Sequence, residues 1–277
     1  MAKTRGPTSH DVVDVVRRAL GESRVGHLGT LDPFADGLLV MLVGRATRLA
    51  PFAAGWRKSY EGVIRLGVVT ATDDATGAVI ASSDAVPSFA EDAVRTAARG
   101  FVGELEQRPP AYSAVKVDGE RAYRRARRGE RVTLEPRQVT VFALELTGWR
   151  PPDAAFRATV SGGTYLRSLA RDLGERLGCG GHLAALRRTR VGPFALEDAV
   201  APEALTPADL RDAALLVGDL PRRTLEGAGR DAILHGRPIP GREHESGTIA
   251  LLADGRLLGV GEVLDGWIKP RLVLGDS

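Results

Sequence analysis

With 277 residues, 43% hydrophobic and 26% charged, the chain has ordinary globular composition and length for a folded core plus a smaller module. No run reaches the roughly 18 consecutive apolar residues of a membrane helix, and the first residues lack the apolar centre of a signal peptide, so a cytoplasmic protein is expected. The single cysteine and five scattered histidines offer neither a disulfide nor zinc-ligand spacing, and the chemistry is expected to need no metal.

Thr8 and Asp11 stand at capping-box spacing, and Val12, Val13, Val16, Ala19 and Leu20 recur at helical intervals up to Gly21, which predicts a first helix. Gly26, Gly29, Pro33 and Gly37 predict a loop over 25–37 that presents His27 and Asp32, followed by an apolar run over 38–43. Alternation over 60–68 predicts a strand, with a turn over 70–77, and a helix is expected over 91–101. A short strand over 113–117 ends in the tight-turn dipeptide Asp118-Gly119.

The basic residues comprise 4 lysines and 34 arginines, and six arginines (121, 124, 125, 127, 128 and 131) fall within eleven residues against Glu120 and Glu130. Arginine contacts phosphate bidentately and stacks on bases. Six like charges so close repel one another without a polyanion, so this segment is read as a nucleic-acid surface rather than a solvated helix face. Strands are predicted over 139–146 and 156–160. Ser161-Gly162-Gly163-Thr164 then leads into a helix with Leu166, Leu169, Ala170, Leu173 and Leu177 on one stripe, capped by Gly178. This mixture predicts an α+β domain around a large sheet over residues 1–200. Beyond it, helices are predicted over 209–217 and 225–234. Strands over 248–252, 257–263 and 271–274 then make 201–277 a helical linker and a small barrel-like β domain.

The segment from Gly26 to Leu39, Gly-His-Leu-Gly-Thr-Leu-Asp-Pro-Phe-Ala-Asp-Gly-Leu-Leu, carries the most information. It resembles the catalytic motif of the TruB family of pseudouridine synthases at every fixed position. Further blocks follow in the family's order. Lys58-Ser59-Tyr60 with Arg65-Leu66-Gly67 is similar to its tyrosine strand, and residues 70–77 to its acidic turn, with Ala71 in place of the first aspartate. Pro109 to Lys116 and Arg121 to Gly129 match its RNA-approaching stretch. Gly163 to Arg167 resembles its Gly-Thr-Tyr-Ile-Arg block, and 178–192 completes the series. The start departs from the pattern: Lys3 and Gly6 match, but the usual Asp and Pro are absent. A longer native N-terminus is therefore expected, because a missing edge strand would leave sheet groups unpaired.

The resemblance implies a pseudouridine synthase catalytic domain on a large mixed, mostly antiparallel sheet with flanking helices, plus a PUA-like C-terminal β domain. It implies tRNA as partner, with uridine 55 of the T-arm as target; with no nucleotide-binding glycine motif in strand-to-helix context no cofactor is expected, and a monomer is expected. It assigns Asp32 as the catalytic carboxylate, Arg167 as its ion-pair partner, and Tyr60 as stacking platform and late proton acceptor. Tyr165 and Leu186 would line the uracil pocket, His27 would fill the space left by the flipped base, and Asp74 would order the adjacent turn. Lys116, Arg124, Arg125, Arg127, Arg128 and Arg188 are expected on the RNA. The chemistry agrees: moving uracil from an N1 to a C5 glycosidic bond needs no net oxidation, and one ionised carboxylate suffices, by addition or by removing a sugar proton. Three alternatives stand beside it: a non-catalytic RNA-binding protein, a pseudouridine synthase acting on another RNA, and a glycosidic hydrolase, the last needing a second carboxylate for which Asp36 is the candidate.

Overall fold

The computed structural model describes residues 1–84, 89–130 and 132–275; Arg131, the sixth arginine of the basic run, lies outside the described residues. The chain forms two compact units, one of residues 1–12, 29–40 and 55–202, the other of 13–28, 41–54 and 203–277.

The first unit is built on a sheet whose strands lie in the order Ala2–Lys3, Asp36–Leu38, Gly181–Val191, Lys58–Leu66, Asp153–Val160, Arg137–Arg150 and Gly103–Gln107, with Phe194–Ala195 added to Gly181–Val191. Every pairing is antiparallel except that of Asp36–Leu38 with Gly181–Val191, so the sheet is mixed and mostly antiparallel. The alternation read from 60–68 places Tyr60, Ile64 and Leu66 on the buried face of a central strand. Helix Leu166–Arg176 packs its Leu166, Leu169 and Leu173 stripe inward against strand Gly181–Val191, and helix Glu91–Arg99 lies on Arg137–Arg150. In the first helix, Ser9–Leu20, the capping box is made on both sides: Thr8 N donates to Asp11 Oδ2 at 2.7 Å, and Asp11 N to Thr8 Oγ1 at 3.1 Å.

Several expectations are corrected. The stretch 25–37 is not all loop, since Val25–His27 pairs with Met41–Val43, and Asp36–Leu38 joins the large sheet. Gly37, one of the glycines that suggested breakers, lies in a strand where backbones approach closely. At Gly37, φ is +110°, and a Cβ would lie 2.3 Å from the Arg188 carbonyl oxygen. Gly37→Ala is therefore expected to cost about 3 kcal/mol, read as a lowered Tm. Of 113–117, only Lys116–Val117 is strand. The helix expected over 209–217 is two short 3-10 turns, Pro207–Asp209 and Ala213–Val217, because the Asp212 carboxylate caps Ala214 N at 2.7 Å and restarts the chain. The sheet edge thought to lack its strand is covered by Ala2 and Lys3 opposite Leu38 and Gly37, while Ala2 N donates to Val200 O at 2.8 Å and Leu39 N to Met1 O at 2.9 Å.

The second unit contains a five-stranded sheet in the order Arg222–Thr224, Gly247–Ala253, Arg256–Leu264, Trp267–Val273 and Ile239–Pro240. Its core is Leu225, Ile233, Ile249, Leu251, Leu258 and Ile268. Segment 41–54 belongs to it through Arg48, whose Nη1 donates to Val273 O at 2.8 Å. Among the described residues, no helix is long and apolar enough to cross a membrane.

Candidate active site

Asp32 lies in a loop held from three sides by its backbone. The Ser9 hydroxyl donates to Leu31 O at 3.0 Å and accepts from Leu31 N at 2.9 Å. The buried Lys3 ammonium donates to Ala35 O at 2.7 Å, Thr4 O at 3.0 Å and Asp32 O at 3.2 Å. Arg188, only 1% exposed, donates from Nε to Leu38 O at 2.8 Å and from Nη2 to Gly29 O at 3.0 Å. Buried Leu31 and Ala35 pin the ends of the turn, and between them the Asp32 side chain retains 32% exposure.

That carboxylate meets Arg167. Its Nε lies 2.9 Å from Asp32 Oδ2, and Nη2 donates to Oδ1 at 3.3 Å. The guanidinium is itself buried at 6% exposure, where an unheld cation would be costly. Its other protons are taken by Thr72 O at 3.0 Å and Tyr112 O at 2.9 Å, with Asp74 Oδ2 at 3.7 Å. Three chain segments thus converge on one planar fork, a geometry that lysine cannot match. Asp74 is fixed in turn, its Oδ1 accepting from Thr72 Oγ1 at 2.7 Å and Thr76 N at 2.9 Å. Burial pushes the Asp32 carboxyl above the ordinary 3.8, and Arg167 opposes that rise.

The other anticipated residues divide into three groups. Tyr165 joins the cluster: its N donates to Gln107 Oε1 at 2.8 Å, Gln107 Nε2 returns a bond to its carbonyl at 3.0 Å, and its phenol, raised by burial, feels the charges of both Arg167 and Asp32. Tyr60 and Leu186 are buried on the two central strands, Tyr60 in register with Arg188 and Leu186 with Gly62. His27 sits on strand Val25–His27 opposite Met41.

Arg188 is a correction. Expected on the RNA, it is instead enclosed and spends its donors on the carbonyls of the Asp32 loop, because its strand runs through the middle of the sheet. The arginine run is also less bare than its sequence suggested. Arg128 pairs with Glu120 at 2.6 Å and Glu130 at 2.7 Å, and Arg125 with Glu130 at 2.9 Å and Asp118 at 3.4 Å. Helix Ala122–Arg127 and its flanking turns fold the acids back onto these two, so charge repulsion there is relieved without a polyanion. Arg124, Arg127 and Lys116 are exposed, and Arg127 lies over the Tyr123 ring at 5.4 Å. Asp36, the second carboxylate of the hydrolase reading, is engaged by Arg187 at 2.5 Å and Arg5 at 3.1 Å.

Sequence reasoning missed Thr72 and Tyr112, whose backbone oxygens hold Arg167; no side-chain pattern reports a carbonyl's direction. It also gave Lys3 no role, although agreement with the family pattern singles that residue out.

Known proteins bear on this geometry. The family model of TruB family pseudouridylate synthase (N terminal domain) matches residues 17–166, that of the tRNA pseudouridylate synthase B C-terminal domain matches 167–225, and that of pseudouridine synthase II TruB, C-terminal, matches 221–274. The chain is 48% identical to tRNA pseudouridine synthase B of Thermobifida fusca, across 99% of this chain and 97% of that protein. It is 45% identical to tRNA pseudouridine synthase B of a Synechococcus species, across 98% and 95%. A chain of a solved Cbf5-Nop10-Gar1 complex superposes with a TM-score of 0.70 at 25% identity, covering 99% of this chain and 82% of that one. With an aspartate–arginine pair at the centre of a matching fold and family models spanning nearly its whole length, the chain belongs to the TruB family of pseudouridylate synthases and is an isomerase.

Proposed function

We propose that this chain converts uridine 55 in the T-arm of tRNA to pseudouridine, acting as a cytoplasmic monomer without a cofactor. The observation that carries the reading is the Asp32 carboxylate held by a buried guanidinium that three separate segments orient. A uridine in a folded arm must be everted before its glycosidic bond can be reached, at a cost of a few kcal/mol that stacking in the pocket offsets. Tyr60 supplies the stacking face and, late in the reaction, accepts the C5 proton; Tyr165 and Leu186 close the pocket around the uracil. Asp32 reacts in its ionised form. The N1–C1′ bond breaks, the base turns, the C5–C1′ bond forms, and the proton lost from C5 is balanced by one gained at N1. The names of the curated relatives support tRNA as substrate.

Incubating an unmodified tRNA transcript with the protein and mapping the product nucleoside tests this. Pseudouridine at the T-arm position supports the proposal. An abasic site would indicate hydrolysis, unchanged RNA a binding protein, and pseudouridine elsewhere a different target.

Exposed Arg124 and Arg127 are proposed as phosphate contacts. Changing both to Ala is expected to flatten the dependence of log affinity on log salt by about 0.7–0.9 per lost contact. Changing Arg125 and Arg128 is expected to flatten it less, because carboxylates already occupy them. Equal slopes for the two pairs would contradict this division.

A further inference from the structure

Helix Leu166–Arg176 carries a second arginine, half-buried, one turn beyond Arg167. Arg171 Nη1 lies 3.1 Å from Asp73 Oδ2, Nε donates to Asp172 Oδ1 at 2.9 Å, and Nη2 donates to Arg108 O at 3.0 Å. The first and last of these contacts fall on the two segments that serve Arg167. The turn containing Asp73 also supplies Thr72 O and Asp74, and the stretch beginning at Arg108 runs on to Tyr112 O. Ser168, between the two arginines, adds a bond from its hydroxyl to the same Arg108 carbonyl at 2.8 Å. Each of the two segments is thus gripped twice by one helix face, once at the active site and once a turn away.

We propose that Arg171 is a positioning residue for the Asp32–Arg167 pair, fixing through Asp73 and the Arg108 carbonyl the two backbone acceptors between which the Arg167 guanidinium is held. The proposal rests on the roles assigned to Asp32 and Arg167 above. Asp73 has a φ of +58°, in the left-handed region that aspartate enters more readily than most non-glycine residues, and its carbonyl accepts from Leu183 N at 3.0 Å, tying the turn to the central strand. Burial pushes the Asp73 carboxyl up, with Arg171 opposing most strongly and Arg167 next, so loss of Arg171 leaves an aspartate that tends to protonate and a turn that keeps its backbone tie to Leu183 but loses its side-chain tie to the helix.

The consequence reaches Asp32 through geometry. If Thr72 O and Tyr112 O drift, the fork of Arg167 loses its fixed orientation and opposes the burial of Asp32 less well. The charged groups acting on Asp32 are Arg167, Asp74 and Lys3, and those acting on Asp73 are Arg171, Arg167 and Asp172. Arg167 is common to both sets, and its weaker opposition to the burial of Asp32 is read as a shift of the acid limb of turnover to higher pH.

The test measures kcat and KM against pH for Arg171→Met, Asp73→Asn, the double variant and Arg171→Lys, with Asp32→Asn as control and Tm recorded for each. Each single variant is expected to lower kcat by about 10- to 100-fold, to leave KM within about twofold, and to move the acid limb to higher pH. The double variant should be no worse than either single, because the two act as one unit. Arg171→Lys keeps the charge on Asp73 and should recover part of kcat even if the Met variant folds poorly. Variants that lose Tm yet keep wild-type kcat and acid limb while folded, or whose losses add, overturn the proposal. An inactive Asp32→Asn beside a fully active Arg171→Met refutes this inference alone, whereas an active Asp32→Asn removes the reading beneath it.

Discussion

Replacing Asp32 by asparagine is expected to reduce turnover on the order of 10⁴-fold or more while leaving RNA affinity within about 1 kcal/mol. The amide keeps the shape of the carboxylate and loses the charge that the reaction needs. Stability separates this loss from misfolding. The folded-state pKa of Asp32 lies above its ordinary value because desolvation outweighs the pull of Arg167. A carboxyl whose pKa is raised on folding favours the fold below its unfolded value and loses that contribution as pH rises through the folded one. At neutral pH the charged form is therefore a load on the native state. Arg167 in the variant still keeps Thr72 O, Tyr112 O and nearby Asp74. The Asn variant should melt no lower than the parent at pH 7; substantial turnover by it would remove Asp32 as the reacting group.

Arg167→Met should be nearly as damaging, on the order of 10³-fold in kcat, for a different reason. It removes the strongest influence lowering the Asp32 pKa and leaves Asp74 and Lys3 as the remaining charges acting on it. The carboxyl would then hold its proton to higher pH, so part of the lost rate should return as pH is raised. Two carbonyls, Thr72 O and Tyr112 O, also lose their donor in a partly buried place, which should lower Tm. Arg167→Lys restores charge but cannot span Asp32, Thr72 O and Tyr112 O together, and should recover only a fraction. A pH-independent defect in the Met variant would contradict this assignment of its effect.

Much of the fold could be read from local chemistry. The Thr8–Asp11 box, the Asp118-Gly119 turn with both residues at positive φ, and the leucine stripe after Gly163 each satisfy a short-range rule, and each stands where it was expected. What failed was long-range. Strand Gly181–Val191 lies between Lys58–Leu66 and Asp36–Leu38. It opens on glycine and carries Arg187, Arg188 and Arg190, which mask the apolar alternation of a central strand. Only the tertiary partner of Arg188, the Asp32 loop, makes burial of that guanidinium tolerable. Pairing of Arg125 and Arg128 with acids depended likewise on a turn that brings Glu120 and Glu130 around. The candidate site was legible to the extent that side chains carry it, in Asp32, Arg167 and Asp74. Its backbone acceptors and the second arginine rung were not, because they arise from which segments meet at the helix.

In the proposed mechanism a buried guanidinium keeps one partly exposed carboxylate ionised for reaction. Carboxyl carbon NMR of the wild-type protein, with the Asp32 signal identified by its absence in Asp32→Asn, titrates that group directly. The signal should titrate above 3.8 yet report the ionised form at neutral pH, and in Arg167→Met it should titrate higher still. An Asp32 signal that titrates at the ordinary carboxylate value in both proteins would contradict the account.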